Sequence, residues 1–208
     1  MSHRMPRRVE TERLVLRPWR ENDVDRLLDA ITSSLEHLRA WLPWALHEPE
    51  SREAKLDRIR VAEAAFESGE RWFFGLFDPG ERRLLGGVGI EPLSDGVSAV
   101  AEPDWAREIG YWIRADSVGR GLCSEAVGAL TALGFRDAGL GHLEIQCDPG
   151  NRASSRIPER LGYRHVETHR GNKRTPTGEL RDTMVWVMGP LELDASPASA
   201  IAYRVRDA

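Results

Sequence analysis

Apolar positions along this chain switch between alternation and helical spacing, and the switches mark out the elements. In "TERLVLRPW", Leu14 and Leu16 alternate with Val15 and polar neighbours until Pro18 stops the pattern, which predicts a strand over 12–17. Val24, Leu27, Leu28 and Ile31 then share one helical face, with Asn22 or Asp23 as N-cap. Leu35, Leu38, Trp41 and Leu42 keep that spacing until Pro43. A further helix begins at Ser51, buries Leu56, Ile59 and Phe66, and ends at Gly69. "RWFFGLFD" and "RLLGGVGIEPL" read as a hairpin joined by "DPGE".

Residues 94–105 show no period and predict a long connection before the strand "AREIGYWIRA". The helix "SEAVGALTALGFRDA" follows, with Ala126, Val127, Leu130, Leu133 and Gly134 inward and Gly139 closing it. "HLEIQCD" is a strand and "SSRIPERLGY" a short helix ending at Gly162. "YRHVETHR" and "LRDTMVWVMG" pair around a polar loop at 171–179. The order predicts one mixed α/β (α+β) domain over 1–190. Residues 191–208 are small and polar until Ile201 and Tyr203, and read as a flexible or loosely docked tail.

A length of 208 residues allows one substantial core, and 41% hydrophobic with 30% charged residues is ordinary globular composition. A formal charge of −4 offers no general attraction to nucleic acid or to an anionic membrane. Lys55 and Lys173 are the sole lysines; arginine-borne charge suits phosphate or carboxylate recognition, but a compositional bias of the coding sequence is the first explanation. Cys123 and Cys147 lack CxxC spacing, and no apolar run follows "SHRMPRR", which points to the cytoplasm. No stretch approaches the roughly 20 apolar residues that cross a bilayer.

The stretch "DSVGRGLCSEAV" feeds a strand into a helix through two glycines. The first amides of that helix lack partners, the helix dipole adds positive charge, and Gly119 and Gly121 let an anion approach while Arg120 stands on the rim. A pyrophosphate fits, although a permissive turn is the simpler reading of the stretch alone. GxxxxGK[ST] is absent, and GxGxxG fails at Ser124. His165 and His169 have no cysteine or acidic cluster at ligand spacing, so no metal is expected.

Downstream, "DPGNRASSRIPERLGY" sets Asn151, Ser154 and Ser155 before a short helix. Proline is tolerated in the first turn, so Pro158 argues for an N-cap at Ser154, with Asn151 outside the helix and able to offer its amide to a ligand. Simple capping by both residues is the alternative.

"EIGYWIRADSVGRGLCSEAVGALTALGF" with "HLEIQCDPGNRASSRIPERLGYRHVETHR" resembles the GNAT superfamily of acyl-CoA-dependent N-acyltransferases, above all its RimJ/RimL-type branch, over residues 10–190. The resemblance implies a mostly antiparallel sheet of about six to seven strands, splayed so that the arm of acetyl-CoA lies between the strands at 106–114 and 142–148. It implies pantetheine contacts at Trp112, Ile113 and Arg114 and a pyrophosphate loop over Val118, Gly119, Arg120, Gly121, Leu122, Cys123 and Ser124, with Asn151 and Ser154 also on the cofactor. Val118 stands where the family commonly has a polar residue, and Cys123 where it has a small one; main-chain donors depend on neither, and Cys123 is not expected as a nucleophile.

The helix tyrosine that many relatives use to protonate the thiolate is missing, with Ile157 and Pro158 thereabouts and no tyrosine until Tyr163; Ser154 matches the serine of the Rim-type branch. The glutamate of that branch is absent from "THRGNKRTP", and Glu108, on the same strand side as Gly110 and Trp112, is the candidate base, with a solvated strand-end charge as the alternative. Trp41 and Trp44 would wall the acceptor pocket unless they are core, and Glu36, Glu48 and Glu50 would suit a cationic acceptor. The expected activity is acetyl transfer to a protein α-amino group or a small amine, with no metal, nucleic acid or membrane partner and a homodimer left open. A longer acyl donor such as succinyl-CoA, an aminoglycoside acceptor, or an idle acyl-CoA-binding module are the alternatives.

Overall fold

The computed structural model describes residues 5–93, 106–175 and 178–206, so the connection expected at 94–105 lies outside the described residues. The chain opens with β1 (Val9–Thr11) and β2 (Val15–Arg17), where one strand over 12–17 was expected. A tight turn, Thr11 N–H to the Leu14 carbonyl at 2.9 Å, separates them. Helices α1 (Val24–Thr32), α2 (Leu35–Arg39) and α3 (Arg52–Ser68) follow. The Ser51 hydroxyl caps α3 by accepting from Ala54 N–H, and Gly69 ends it in the left-handed region at φ 74°, as predicted.

The hairpin of β3 (Trp72–Phe77) and β4 (Leu84–Pro92) leads to β5 (Ala106–Ile113), then α4 (Leu122–Arg136), β6 (His142–Cys147) and α5 (Arg152–Leu161). Strands β7 (Arg164–Arg174) and β8 (Leu180–Met188) close the predicted hairpin, and β7 runs well into the residues expected to be loop. The segment read as a tail is instead packed: it forms α6 (Pro190–Leu193), a helical turn at Pro197–Ala200, and β9 (Tyr203–Val205), which pairs antiparallel with β1. Leu193 and Ala198 are buried. This strand and β1 raise the sheet above the expected six to seven strands, to nine among the described residues, in the order β7-β8-β6-β5-β4-β3-β2-β1-β9.

Strand alternation divides the core between two faces. Leu16, Phe74, Leu76, Ile90, Ile109 and Ile145 pack with Leu130 and Leu133 of α4 and Ile157 and Leu161 of α5. Val15, Phe77 and Leu84 pack with Val24, Leu27 and Ile31 of α1, Leu38 of α2 and Ile59 of α3. Every neighbouring pair is antiparallel except β5 and β6, which α4 joins as a crossover.

Candidate active site

The parallel pair at the centre of the sheet is paired for only part of its length. Ala106, Arg107 and Glu108 face His142, Leu143 and Glu144, and there the register ends. Beyond it β5 stays on β4 out to Ile113 opposite Gly86, and β6 stays on β8 out to Cys147 opposite Met184. Each strand keeps its outer neighbour while the seam between them opens, leaving unpaired edge groups on both sides.

Alternation decides which main-chain groups of β5 face that seam. Arg114 N–H donates to the Leu85 carbonyl at 2.7 Å, and a Cβ on Gly86 would collide with the Trp112 carbonyl oxygen, so both residues address β4. Tyr111 and Ile113 therefore turn their amides and carbonyls toward the gap. Of the three residues expected to contact pantetheine, Ile113 turns its main chain to the gap, whereas Trp112 and Arg114 turn theirs to β4. The Arg114 guanidinium is also committed, to Asp29 at 2.6 Å and Asp116 at 3.5 Å, which ties the end of β5 to α1.

At the far end of β5 the glycine loop enters α4. Gly119 and Gly121 take φ of 73° and 75°, and Gly121 is the N-cap with no side chain capping the helix. A Cβ at Gly119 would meet nothing within 4 Å. The first intrahelical bond is Glu125 N–H to the Gly121 carbonyl, so the amides of Leu122, Cys123 and Ser124 carry the unpaired donors of the helix start. Val118, Gly119, Arg120 and Gly121 are exposed, while the Leu122 side chain is buried in the core. Burial pushes the Cys123 thiol up to about 12, which leaves it protonated and a poor nucleophile.

The loop is held from behind by a residue absent from the sequence reading. Arg13 donates through Nη1 to the Arg120 carbonyl at 2.7 Å and through Nε to Glu125 at 2.6 Å. Glu125 also accepts from Arg13 N–H at 2.9 Å and Thr11 Oγ1 at 2.5 Å.

Across the gap, α5 starts earlier than expected. Its N-cap is Asn151, whose Oδ1 accepts from Ser154 N–H at 3.1 Å, so Ser154 lies inside the first turn and Pro158 in the helix interior. The expected cap at Ser154 is thereby corrected, and Asn151 has its carbonyl oxygen engaged rather than standing outside the helix. Ser154 Oγ lies 3.0 Å from the phenol oxygen of Tyr111 on β5. No motif in the sequence marks that tyrosine, whose phenol burial holds well above its usual range.

On the opposite face, Glu108 occupies the last paired position of β5, level with Glu91 on β4 and Glu144 on β6, where the seam opens. Burial also raises the Glu91 carboxyl above its usual range. Trp44 meets Trp112 edge-on at 6.1 Å and is partly exposed. Trp41 lines a cavity of about 310 Å³ with Asp148, Pro149, Gly150, Leu180, Arg181 and Asp182. The Arg181 guanidinium stacks 4.8 Å from the Trp41 ring centroid and approaches Asp148 at 3.3 Å.

Two of the three acids named beforehand for a cationic acceptor are spent elsewhere: Glu48 and Glu50 pair with the buried Lys55, and Glu50 also with Arg58. Asp148 and Asp182 are the carboxylates on the cavity wall, each with a partner of its own: Asp148 with Arg181, and Asp182 with Arg170 at 2.7 Å and Gly171 N–H at 2.9 Å. Among the described residues no cluster of metal-ligating side chains occurs, and no helix is long and apolar enough to cross a membrane.

The sheet thus parts beside a helix start whose first amides are bare. Residues 13–164 match the model of the acetyltransferase (GNAT) domain, and the chain belongs to that family. It is 28% identical over 159 residues, covering 75% of this chain and 77% of the relative, to the [ribosomal protein uS5]-alanine N-acetyltransferase of Escherichia coli. Among solved structures it is similar to Mycobacterium smegmatis RimJ in complex with CoA-disulfide, with TM-score 0.77, 20% identity, and coverage of 93% of this chain and 92% of that one. RimL, a ribosomal L7/L12 alpha-N-protein acetyltransferase in complex with coenzyme A, aligns with TM-score 0.75 at 19% identity over 86% of this chain and 95% of its own. At these identities the structural likenesses establish the fold.

Proposed function

We propose that this enzyme transfers the acetyl group of acetyl-CoA to a primary amine, a protein N-terminal α-amino group or a small amine, by direct attack on the thioester. The observation that carries the reading is the seam between β5 and β6, open beyond Glu108 and Glu144, with the unpaired amides of α4 at its end. Such a gap accepts an extended amide-bearing chain as an added strand, and such a helix start accepts its phosphates. The named relative from Escherichia coli supports an α-amino acceptor.

In this reading the amides of Leu122, Cys123 and Ser124 hold the pyrophosphate, with Arg120 on the rim. Tyr111 and Ile113 offer main-chain partners to the pantetheine arm. An α-amino group has a pKa of about 7.7–8.0, so a useful fraction is neutral near pH 7 and Glu108, through water, need only collect the proton released on attack. The cavity beside Trp41, with Asp148 and Asp182 on its wall, receives the acceptor. Ser154 hydrogen-bonds the departing sulfur, with the cytoplasm as the working compartment.

The test is release of free CoA thiol from acetyl-CoA across a panel of short peptides with free or blocked N-termini, small amines and an aminoglycoside. Turnover confined to free amines is the expected result. CoA binding without turnover on any acceptor overturns the transferase reading and leaves a binding module.

A further inference from the structure

Pro158 lies in the interior of α5, where a residue with an amide proton would donate it to the carbonyl of Ser154, four positions back. Proline has no such proton and costs about 3 kcal/mol in a helix interior. The vacated carbonyl is filled from another element: Tyr111 Oη lies 3.2 Å from the Ser154 carbonyl oxygen and 3.0 Å from Ser154 Oγ. Tyr111 belongs to the part of β5 beyond its last pair with β6, so this contact spans the open seam. One phenol thus touches both oxygens of the residue assigned to the leaving thiolate.

We propose that Tyr111 is the positioning residue for Ser154, drawn across the seam by the carbonyl that Pro158 leaves vacant, and that it aims the serine hydroxyl at the departing sulfur. The inference rests on the transferase reading above and deepens it. The phenol has one hydrogen; shared as a three-centre bond between the Ser154 carbonyl oxygen and Oγ, it leaves the serine's own hydrogen free to point into the gap, where the transferase reading puts the sulfur. Burial keeps the phenol protonated through the working pH range, so it remains a donor.

The balance of the step is simple. The amine nitrogen bonds to the carbonyl carbon, the carbon–sulfur bond breaks, and sulfur takes the electron pair. The proton lost by nitrogen ends on sulfur through the base and water, with the Ser154 O–H hydrogen-bonded to sulfur meanwhile. Tyr111 loses no proton.

The experiment is steady-state CoA release with acetyl-CoA and a peptide acceptor for the wild type, Tyr111→Phe, Ser154→Ala, the double variant and Pro158→Ala. Tyr111→Phe is expected to lower kcat about tenfold while the KM for acetyl-CoA moves less than about twofold. In the Ser154→Ala background the same change should cost nothing further, the signature of action through the serine. Pro158→Ala restores a competing donor for the Ser154 carbonyl and should lower kcat several-fold without lowering Tm.

Wild-type kcat in Tyr111→Phe, or an equal loss in both backgrounds, overturns the proposal and leaves the transferase reading standing. Should Tyr111→Phe not fold, unchanged kcat in Pro158→Ala overturns it by itself. A wild type that turns over no acceptor takes down both readings together.

Discussion

Gly121 sits at φ 75° at the N-cap of α4, and a Cβ there would approach only Arg13 Nη2, at 3.6 Å. Room is available for a side chain; the backbone conformation is what disfavours one, by roughly 1–2 kcal/mol for an L-residue in that region. Gly121→Val should therefore raise the dissociation constant for CoA about tenfold or more by rotating the amides of the helix start, measured by calorimetry; unchanged affinity would remove this loop from the cofactor site. The left-handed glycines were legible in the sequence because a strand-to-helix turn needs backbone freedom, whereas the cap was misplaced at Ser154 and falls on Asn151. Tyr111 was not legible, because it meets Ser154 across 43 residues of chain and the motif that prompted the search sought a tyrosine on α5 alone.

At the scale of elements, α3 is entered through a charge cluster. Hydrogen bonding from Arg58, and then the ammonium of Lys55, hold the Glu50 carboxyl down at about 2 against the opposing effect of burial. A carboxyl lowered in the folded state contributes stability above its ordinary value of 4.5 and loses it as pH falls toward about 2. Glu50→Gln should lower Tm at pH 6, and the gap to the wild type should close as the pH drops to 2, read by thermal melts across that range.

The glycine loop is an element held by another: Arg13, just before β2, grips the Arg120 carbonyl and Glu125 of α4. Arg13→Ala should raise the KM for acetyl-CoA by about 3- to 10-fold through a looser loop, with kcat at saturation little changed. The helices α1, α3 and α4 were legible from their periodicity. The start of α5 was not: Pro158 suggested a later cap, and only the cap from Asn151 together with the outside donor on Ser154 explains a proline so deep in the helix.

At the scale of the molecule, residues 190–205 complete the sheet. β9 covers the free edge of β1, with Val9 opposite Val205 and Thr11 opposite Tyr203, and Ile201 lies against α4 at Gly128. Removal of residues 191–208 should lower Tm by roughly 5–10 °C, since several kcal/mol of burial and edge pairing are lost and each kcal/mol moves a chain of this size by about 2–4 °C. An unchanged melt would return this segment to the flexible tail that its small, polar composition suggested.

The sequence by itself determined most of the strands and helices between Val24 and Met188 and where the chain turns through left-handed glycine at Gly69, Gly119, Gly121 and Gly162. Those properties depend on side-chain periodicity and on dihedral angles that neighbouring residues impose. Tertiary structure alone decided that β5 and β6 part beyond Glu108, that Asp148 and Asp182 rather than Glu48 and Glu50 face the cavity, and that Tyr111 reaches Ser154. Each of these arises from surfaces that meet only after distant segments pack, where burial and charge pairing choose among partners that local sequence leaves equivalent.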